Sequence, residues 1–150
     1  MNLQNTRAQK NIYLADDDDD DRVMFAEALF EIDSIVILTQ AQDGQQLMEI
    51  LYKKPNSLPD IIFLDINMPK QDGLKCLEEI RNQRGDLKEL FVIILSTSSD
   101  PWVIDKAFNL GATFYAVKPS TFDDLKSFIK EVLQIDWFSI EKSNLKFRLI

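Results

Sequence analysis

Apolar residues along this 150-residue chain fall into short unbroken runs, separated by longer stretches in which they recur every three or four positions. The runs cover residues 11–15, 35–39, 61–64, 91–95 and 113–117, and the clearest are Ile35-Val36-Ile37-Leu38-Thr39 and Phe91-Val92-Ile93-Ile94-Leu95. Short, nearly continuous apolar runs are what strands covered on both faces require. Between them the spacing is helical. Phe25, Ala28, Leu29 and Ile32 form one stripe; Leu47, Ile50 and Leu51 a second; Leu74, Leu77 and Ile80 a third. Ile104, Ala107 and Phe108 form the fourth, and Phe122, Leu125, Phe128, Ile129, Val132 and Leu133 the longest. Asp100-Pro101 predicts a helix start, with an acid at the cap and proline in the first turn, and Gly111 a helix stop. Five strands alternating with five helices predict a doubly wound α/β domain with a parallel sheet, its right-handed crossovers placing helices on both faces. No internal repeat or Pro/Gly/Ser linker divides the chain. Residues 1–9 are polar and expected to fray, 10–135 form the domain, and 136–150 form a short extension.

Three of the apolar runs end in charge. Ile12-Tyr13-Leu14-Ala15 leads into Asp16 and Asp17, Ile61-Ile62-Phe63-Leu64 into Asp65, and Phe114-Tyr115-Ala116-Val117 into Lys118-Pro119. Aspartate is a poor strand residue, so one that ends a buried strand suggests chemistry. The C-terminal strand ends of a parallel sheet lie along one edge, where ligands bind. The pattern predicts one metal and phosphoryl site assembled from distant segments.

The bulk properties narrow the class. A net charge of −8 argues against binding to a nucleic-acid backbone and suits a protein that uses a cation. No apolar stretch approaches the ~20 residues of a membrane helix, and the first ten residues lack the apolar core of a secretory signal. A lone Cys76 precludes an internal disulfide and fits a reducing compartment, so the expected location is cytoplasmic. The chain contains no histidine. Histidine-based hydrolytic triads and zinc sites are therefore excluded, and any phosphohistidine in a relay must come from a partner.

Each candidate has a plainer alternative. The run Asp16 to Asp21 can be a solvated acidic loop opening a helix, where the dipole favours acids, and this is the expectation for Asp19, Asp20 and Asp21. It can also be set against a calcium loop, with Asp16, Asp18, Asp20, Val23 and Glu27 on positions 1, 3, 5, 8 and 12 of such a loop, but Asp21 stands where the turn needs glycine. The third reading is a magnesium site in which Asp16 and Asp17 join Asp65, since converging carboxylates repel unless a hard cation relieves them. Asp65 could instead cap a turn before Pro69. Asn67 either shapes that turn or offers its backbone carbonyl to the metal. Ser98 and Ser99 suit a polar turn before Asp100, whereas Ser96 at the strand tip can donate to a phosphoryl oxygen. Lys118, held before Pro119, can pair with phosphate as a point charge, and the bond to Pro119 has access to the cis form. Trp137 and Phe138 either cover an apolar edge or make a dimer contact.

Taken together, Asp16/Asp17, Leu64-Asp65-Ile66-Asn67-Met68-Pro69, Asp72-Gly73, Ser96, Gly111-Ala112 and Tyr115-Ala116-Val117-Lys118-Pro119 resemble the receiver domains of response regulators, the CheY-like phosphoacceptors of two-component signalling. The resemblance spans about residues 10–135. It implies a flavodoxin-like (β/α)5 fold with strand order 2-1-3-4-5. It implies Asp65 as phosphoacceptor, and Mg2+ held by Asp17, Asp65 and the Asn67 carbonyl with Asp16 acting through water. Ser96 and Lys118 would contact the phosphoryl group, and Ser96 and Tyr115 would form the switch, Tyr115 turning inward on activation. The implied partners are a histidine kinase or phosphotransfer protein and a downstream protein target, with a homodimer through Trp137 and Phe138 beside the fourth and fifth helices. The chain would then be no enzyme beyond its own phosphorylation and dephosphorylation. Ala15 and the long acidic run depart from the family pattern without touching the chemistry. Ser96-Thr97-Ser98-Ser99 and Asp136-Trp137-Phe138-Ser139-Ile140 are similar to receivers that partner phytochrome-type kinases. Two rivals remain: a pseudo-receiver scaffold that takes no phosphate, and a small Mg2+-dependent phosphatase using an aspartate nucleophile.

Overall fold

A computed structural model describes residues 9–142 and 145–150, with the side chains of 141 and 142 left aside. The expected frayed segment lies, apart from Gln9, outside the described residues. The chain alternates β1 (Asn11–Ala15), α1 (Asp19–Ile32), β2 (Ile37–Ala41), α2 (Gly44–Lys53), β3 (Ile61–Leu64), α3 (Gly73–Arg81), β4 (Phe91–Ser96), α4 (Pro101–Asn109), β5 (Phe114–Val117) and α5 (Phe122–Leu133). The strands form one sheet in the order β2-β1-β3-β4-β5, and every adjacent pair is parallel. This is the doubly wound (β/α)5 arrangement with the expected order.

Alternation along each strand splits the core in two. Ile12, Leu14, Ile61, Phe63, Ile93 and Leu95 face one layer, packed with Phe25 and Leu29 of α1 and Leu125, Phe128 and Ile129 of α5. Tyr13, Ile62, Leu64, Val92 and Ile94 face the other, with Leu47 and Leu51 of α2 and Leu77 and Ile80 of α3. Phe63 anchors the first layer, its ring edge-on to Phe25 at 5.0 Å and to Phe128 at 6.2 Å. Burial on both faces explains why the central strands carry no polar alternation.

Helix starts are fixed by side chains. Asp18, Asp43, Asp72, Asp100 and Thr121 each accept a backbone N–H of the first turn, worth about 1 kcal/mol apiece. Gly111 follows α4 at φ 96°, a left-handed conformation suited to glycine. Because α1 begins at Asp19, directly after a strand, a calcium loop between two helices is excluded.

β2 and the C-terminal extension depart most from expectation. β2 starts at Ile37 rather than residue 35, because Asp33 turns the chain first: its carboxylate accepts Ile35 N–H at 3.2 Å and its carbonyl accepts Val36 N–H at 3.5 Å. The ladder opens only where Ile37 N–H reaches the Lys10 carbonyl at 2.8 Å. The extension is also more structured than a tail. A pair of 3-10 turns covers Trp137–Lys142, broken at Ser139, and Arg148 bridges in parallel to Tyr115 of β5.

Candidate functional site

The site forms where β1, β3, β4 and β5 end together. Asp65 N–H is tied to the Ala15 carbonyl at 2.9 Å, Asp16 N–H to the Ala41 carbonyl at 3.0 Å, and Lys118 N–H to the Ser96 carbonyl at 2.8 Å. These bonds extend the ladders one residue beyond the strands, so each candidate residue leaves the sheet in a fixed direction. Gly73 closes the loop after Asp65. Its N–H reaches the Ile66 carbonyl at 2.8 Å, and a Cβ at this position would fall 2.0 Å from the Asp65 carbonyl oxygen. The Asp72-Gly73 pair therefore has two local tasks, a helix cap and a close backbone approach.

Asp16, Asp17 and Asp65 each place a carboxylate oxygen within 4.8 Å of the others. Asp16 and Asp65 are buried and Asp17 is exposed. Lys118 Nζ donates to Asp16 Oδ2 at 2.8 Å, Asp21 Oδ2 at 2.9 Å and Asp65 Oδ2 at 3.2 Å. Burial pushes the Asp65 carboxyl up to about 6; Lys118 pulls the other way, and the neighbouring Asp16 charge adds to the rise. For Lys118, burial opposes the charged form, but hydrogen bonds to Asp16 and Asp21 and the charge of Asp65 outweigh it and hold the ammonium above its ordinary range. Asp65 is thus a carboxylate whose loss of solvation outweighs the relief that Lys118 provides. The donor set, three carboxylates and no nitrogen or sulfur, fits a hard divalent cation.

Ser96 is fully buried at the tip of β4, its Oγ accepting Ser98 N–H at 3.2 Å. Tyr115 is also fully buried, and its hydroxyl donates to the Ser98 carbonyl at 2.8 Å. The ring is therefore turned inward in this structure. Asn67 lies exposed two residues beyond Asp65. The Lys118–Pro119 peptide is trans.

Sequence reasoning missed two residues here. Asp21, expected to be solvated, takes one of the three Lys118 hydrogen bonds. Arg22 donates to the Asp16 carbonyl at 2.6 Å and also pairs with Asp19, which steadies the β1–α1 turn. The signal for Asp21 was in the helix phase: it precedes Phe25 by four residues and so shares the inward stripe of α1. Trp137 and Phe138 lie at the C-terminal end of α5, in a groove shared with Leu133. Trp137 packs on Phe91 at 4.7 Å and Phe114 at 5.8 Å, the first residues of β4 and β5, at the opposite end of the sheet.

A family model for the response regulator receiver domain matches residues 12–130. The chain belongs to the response regulator receiver family. A probable chemotaxis protein CheY from Rhizobium etli is 32% identical over 121 residues, 81% of this chain and 90% of the relative. Among solved structures, the phosphorylated cyanobacterial phytochrome response regulator RcpA is 31% identical with a TM-score of 0.79, covering 88% of this chain and 96% of that one. The Mn2+-bound form of response regulator Rcp1 is 27% identical with a TM-score of 0.73, covering 92% and 98%. The chain is thus a receiver domain of a two-component response regulator, and its acidic cluster suits a divalent metal. Among the described residues, no helix is long and apolar enough to cross a membrane.

Proposed function

We propose that this receiver accepts a phosphoryl group on Asp65, with Mg2+ held by Asp16, Asp17, Asp65 and the Asn67 carbonyl, from a histidine kinase or phosphotransfer protein. The observation that carries the reading is the Lys118 ammonium meeting carboxylates from the ends of β1 and β3 and from the first turn of α1. Such a charge cluster has little structural purpose, since buried ion networks seldom repay their desolvation. It has a clear chemical one.

Phosphoryl transfer depends mainly on positioning and charge stabilisation. A Asp65 carboxylate oxygen attacks phosphorus in line; the new O–P bond forms as the bond to the donor breaks, and the leaving group carries away the electron pair. Lys118 neutralises charge on the equatorial oxygens, and the Ser96 hydroxyl can donate to one of them. A bound divalent cation would supply further charge neutralisation at the same oxygens. Hydrolysis of the acyl phosphate returns the carboxylate and ends the signal. The chain acts catalytically only on itself and signals through protein contact. RcpA, a phytochrome response regulator, favours a phytochrome-type kinase as donor. The setting is the cytoplasm, where such donors phosphorylate.

Intact-mass measurement with acetyl phosphate should show one added phosphoryl group with Mg2+ present. The gain should vanish in Asp65→Asn and after EDTA. Equal labelling of Asp65→Asn would overturn the assignment.

A further inference from the structure

The outer edge of β5 is covered by the chain's own residues 147–150. Tyr115 N–H donates to the Phe147 carbonyl at 2.9 Å, Leu149 N–H to the Tyr115 carbonyl at 2.8 Å, and Val117 N–H to the Ile150 carbonyl at 3.3 Å. The segment runs parallel to the strand. Phe147 meets Phe108 of α4 edge-on at 5.1 Å and lies 6.5 Å from the Tyr115 ring. Leu149 packs against the layer that holds Phe128 and Val132 of α5. An edge strand left bare would offer unpaired backbone groups to other chains, and here they are occupied.

Tyr115 is gripped from two sides. Its hydroxyl is held by the Ser98 carbonyl at 2.8 Å, while its backbone and ring are held by the 147–150 segment. Ser98 is joined in turn to Ser96 Oγ at 3.2 Å, and the Ser96 carbonyl to Lys118 N–H at 2.8 Å. A short chain of contacts thus connects the phosphoryl site to the edge strap. The strap is weakly held. Leu145, Lys146, Arg148 and Ile150 are exposed, and three edge hydrogen bonds with two apolar anchors place it among the elements that open first.

We propose that residues 147–150 are a strap whose closure on β5 is coupled to occupancy of the phosphoryl site through Tyr115. The inference rests on Asp65 being the phosphoacceptor. With the strap closed, Tyr115 is fixed inward and the 96–98 loop is fixed with it. The Ser96 hydroxyl then accepts from Ser98 while its own proton remains available to a phosphoryl oxygen. A phosphoryl group on Asp65 adds a partner to that same loop arrangement. Coupling between two sites is reciprocal: the strap favours phosphorylation, and phosphorylation tightens the strap.

Amide hydrogen exchange at Tyr115 and Leu149 tests this in the full chain. Mg2+ with beryllofluoride should raise protection of both amides by about fivefold or more, the lower end of ordinary coupling. Asp65→Asn should show no change. Leu149→Pro removes one strap donor and should slow labelling by acetyl phosphate severalfold while leaving Mg2+ affinity unaltered. Phe147→Ala should do the same if the proline variant fails to fold, and Phe138→Ala, remote from the strap, should label at the parental rate. Unchanged or reduced protection, in a chain that labels normally, would overturn the strap alone. Absence of labelling in the parent would overturn both the strap and the phosphoacceptor assignment. Protection that grows with protein concentration would give the strap to a second copy and overturn the intramolecular coupling.

Discussion

The two ends of one sheet are built on opposite principles. At the C-terminal strand ends, Asp16, Asp65 and Ser96 are buried polar groups, and Lys118 is shared among three carboxylates. At the N-terminal ends of β4 and β5, Phe91 and Phe114 are closed over by the Trp137 ring. The same strands therefore run from a well-packed apolar end to an electrostatically frustrated one. Packing at the first end stabilises the scaffold. Buried charge at the second costs stability through lost solvation and leaves the protein able to respond to a cation or a phosphoryl group. Mutations at the two ends should accordingly have opposite signs.

Trp137→Ala should produce the largest change. Trp137 is half-buried, so removing its ring costs up to about 3 kcal/mol, the low end for a core aromatic, and metal binding should be untouched because the Asp cluster is at the other end. Trp137→Phe should cost much less. The Trp137 Nε1 is buried without a hydrogen-bond partner among the described residues, so the substitution deletes an unsatisfied donor along with some area. Urea denaturation of the three proteins, with Mg2+ titration of each, checks both statements. A loss of Mg2+ affinity in Trp137→Ala would break the independence of the two ends.

Asp65→Asn should go the other way. In metal-free buffer at pH 7 the amide should stabilise the fold, by about 2–3 kcal/mol at most. The sign follows from the raised Asp65 value of about 6, against 3.8 ordinarily: the native state holds its proton more tightly than the unfolded chain does. Stability of the parent should therefore fall as pH rises from about 4 to about 6 and level off above. This fall should be missing in Asp65→Asn. Denaturation series across that window in EDTA give the slope, and a parent whose stability rises there would show that Lys118 already compensates the charge.

A smaller contrast separates the aspartates of the acidic run. Asp17→Asn should weaken Mg2+ binding, because its carboxylate completes the cluster, while Asp20→Asn, on the exposed start of α1, should bind as the parent does. Equal losses, read by calorimetric titration, would favour a diffuse acidic field over a site.

Much of this was legible in the chain, for identifiable reasons. β3 and β4 are buried on both faces, so their apolar runs give the fold directly. Asp16, Asp17, Asp65 and Lys118 were visible because charge directly after such a run is costly without a purpose. β2 was displaced because the Asp33 turn consumed two residues of an equally apolar segment. Asp21 was hidden in a run of identical residues, whose individual phases emerge only when each is counted back from Phe25. The edge strap was overlooked although Leu145, Phe147 and Leu149 alternate with polar or exposed neighbours in the strand period.

The smallest effect is expected at Phe138, and it sharpens the comparison most finely. Trp137 and Phe138 are adjacent aromatics at the packed end, yet only the first is integrated there. Phe138 is fully exposed, at 104% of its reference area, and makes no ring contact among the described residues. Phe138→Ala should leave stability within about 0.5 kcal/mol of the parent, as ordinary surface substitutions do. Its ring is exposed and free to meet a second copy, in a groove it shares with Lys10, Asp60 and Phe91. Burying an exposed phenyl group is worth about 1.5–3 kcal/mol, so any self-association through this groove should weaken about tenfold or more in Phe138→Ala. Sedimentation equilibrium, with and without beryllofluoride, reads this directly. Association that persists in Phe138→Ala would move the contact away from the packed end, and a measurable loss of stability would mean that Phe138 packs on its own domain as Trp137 does.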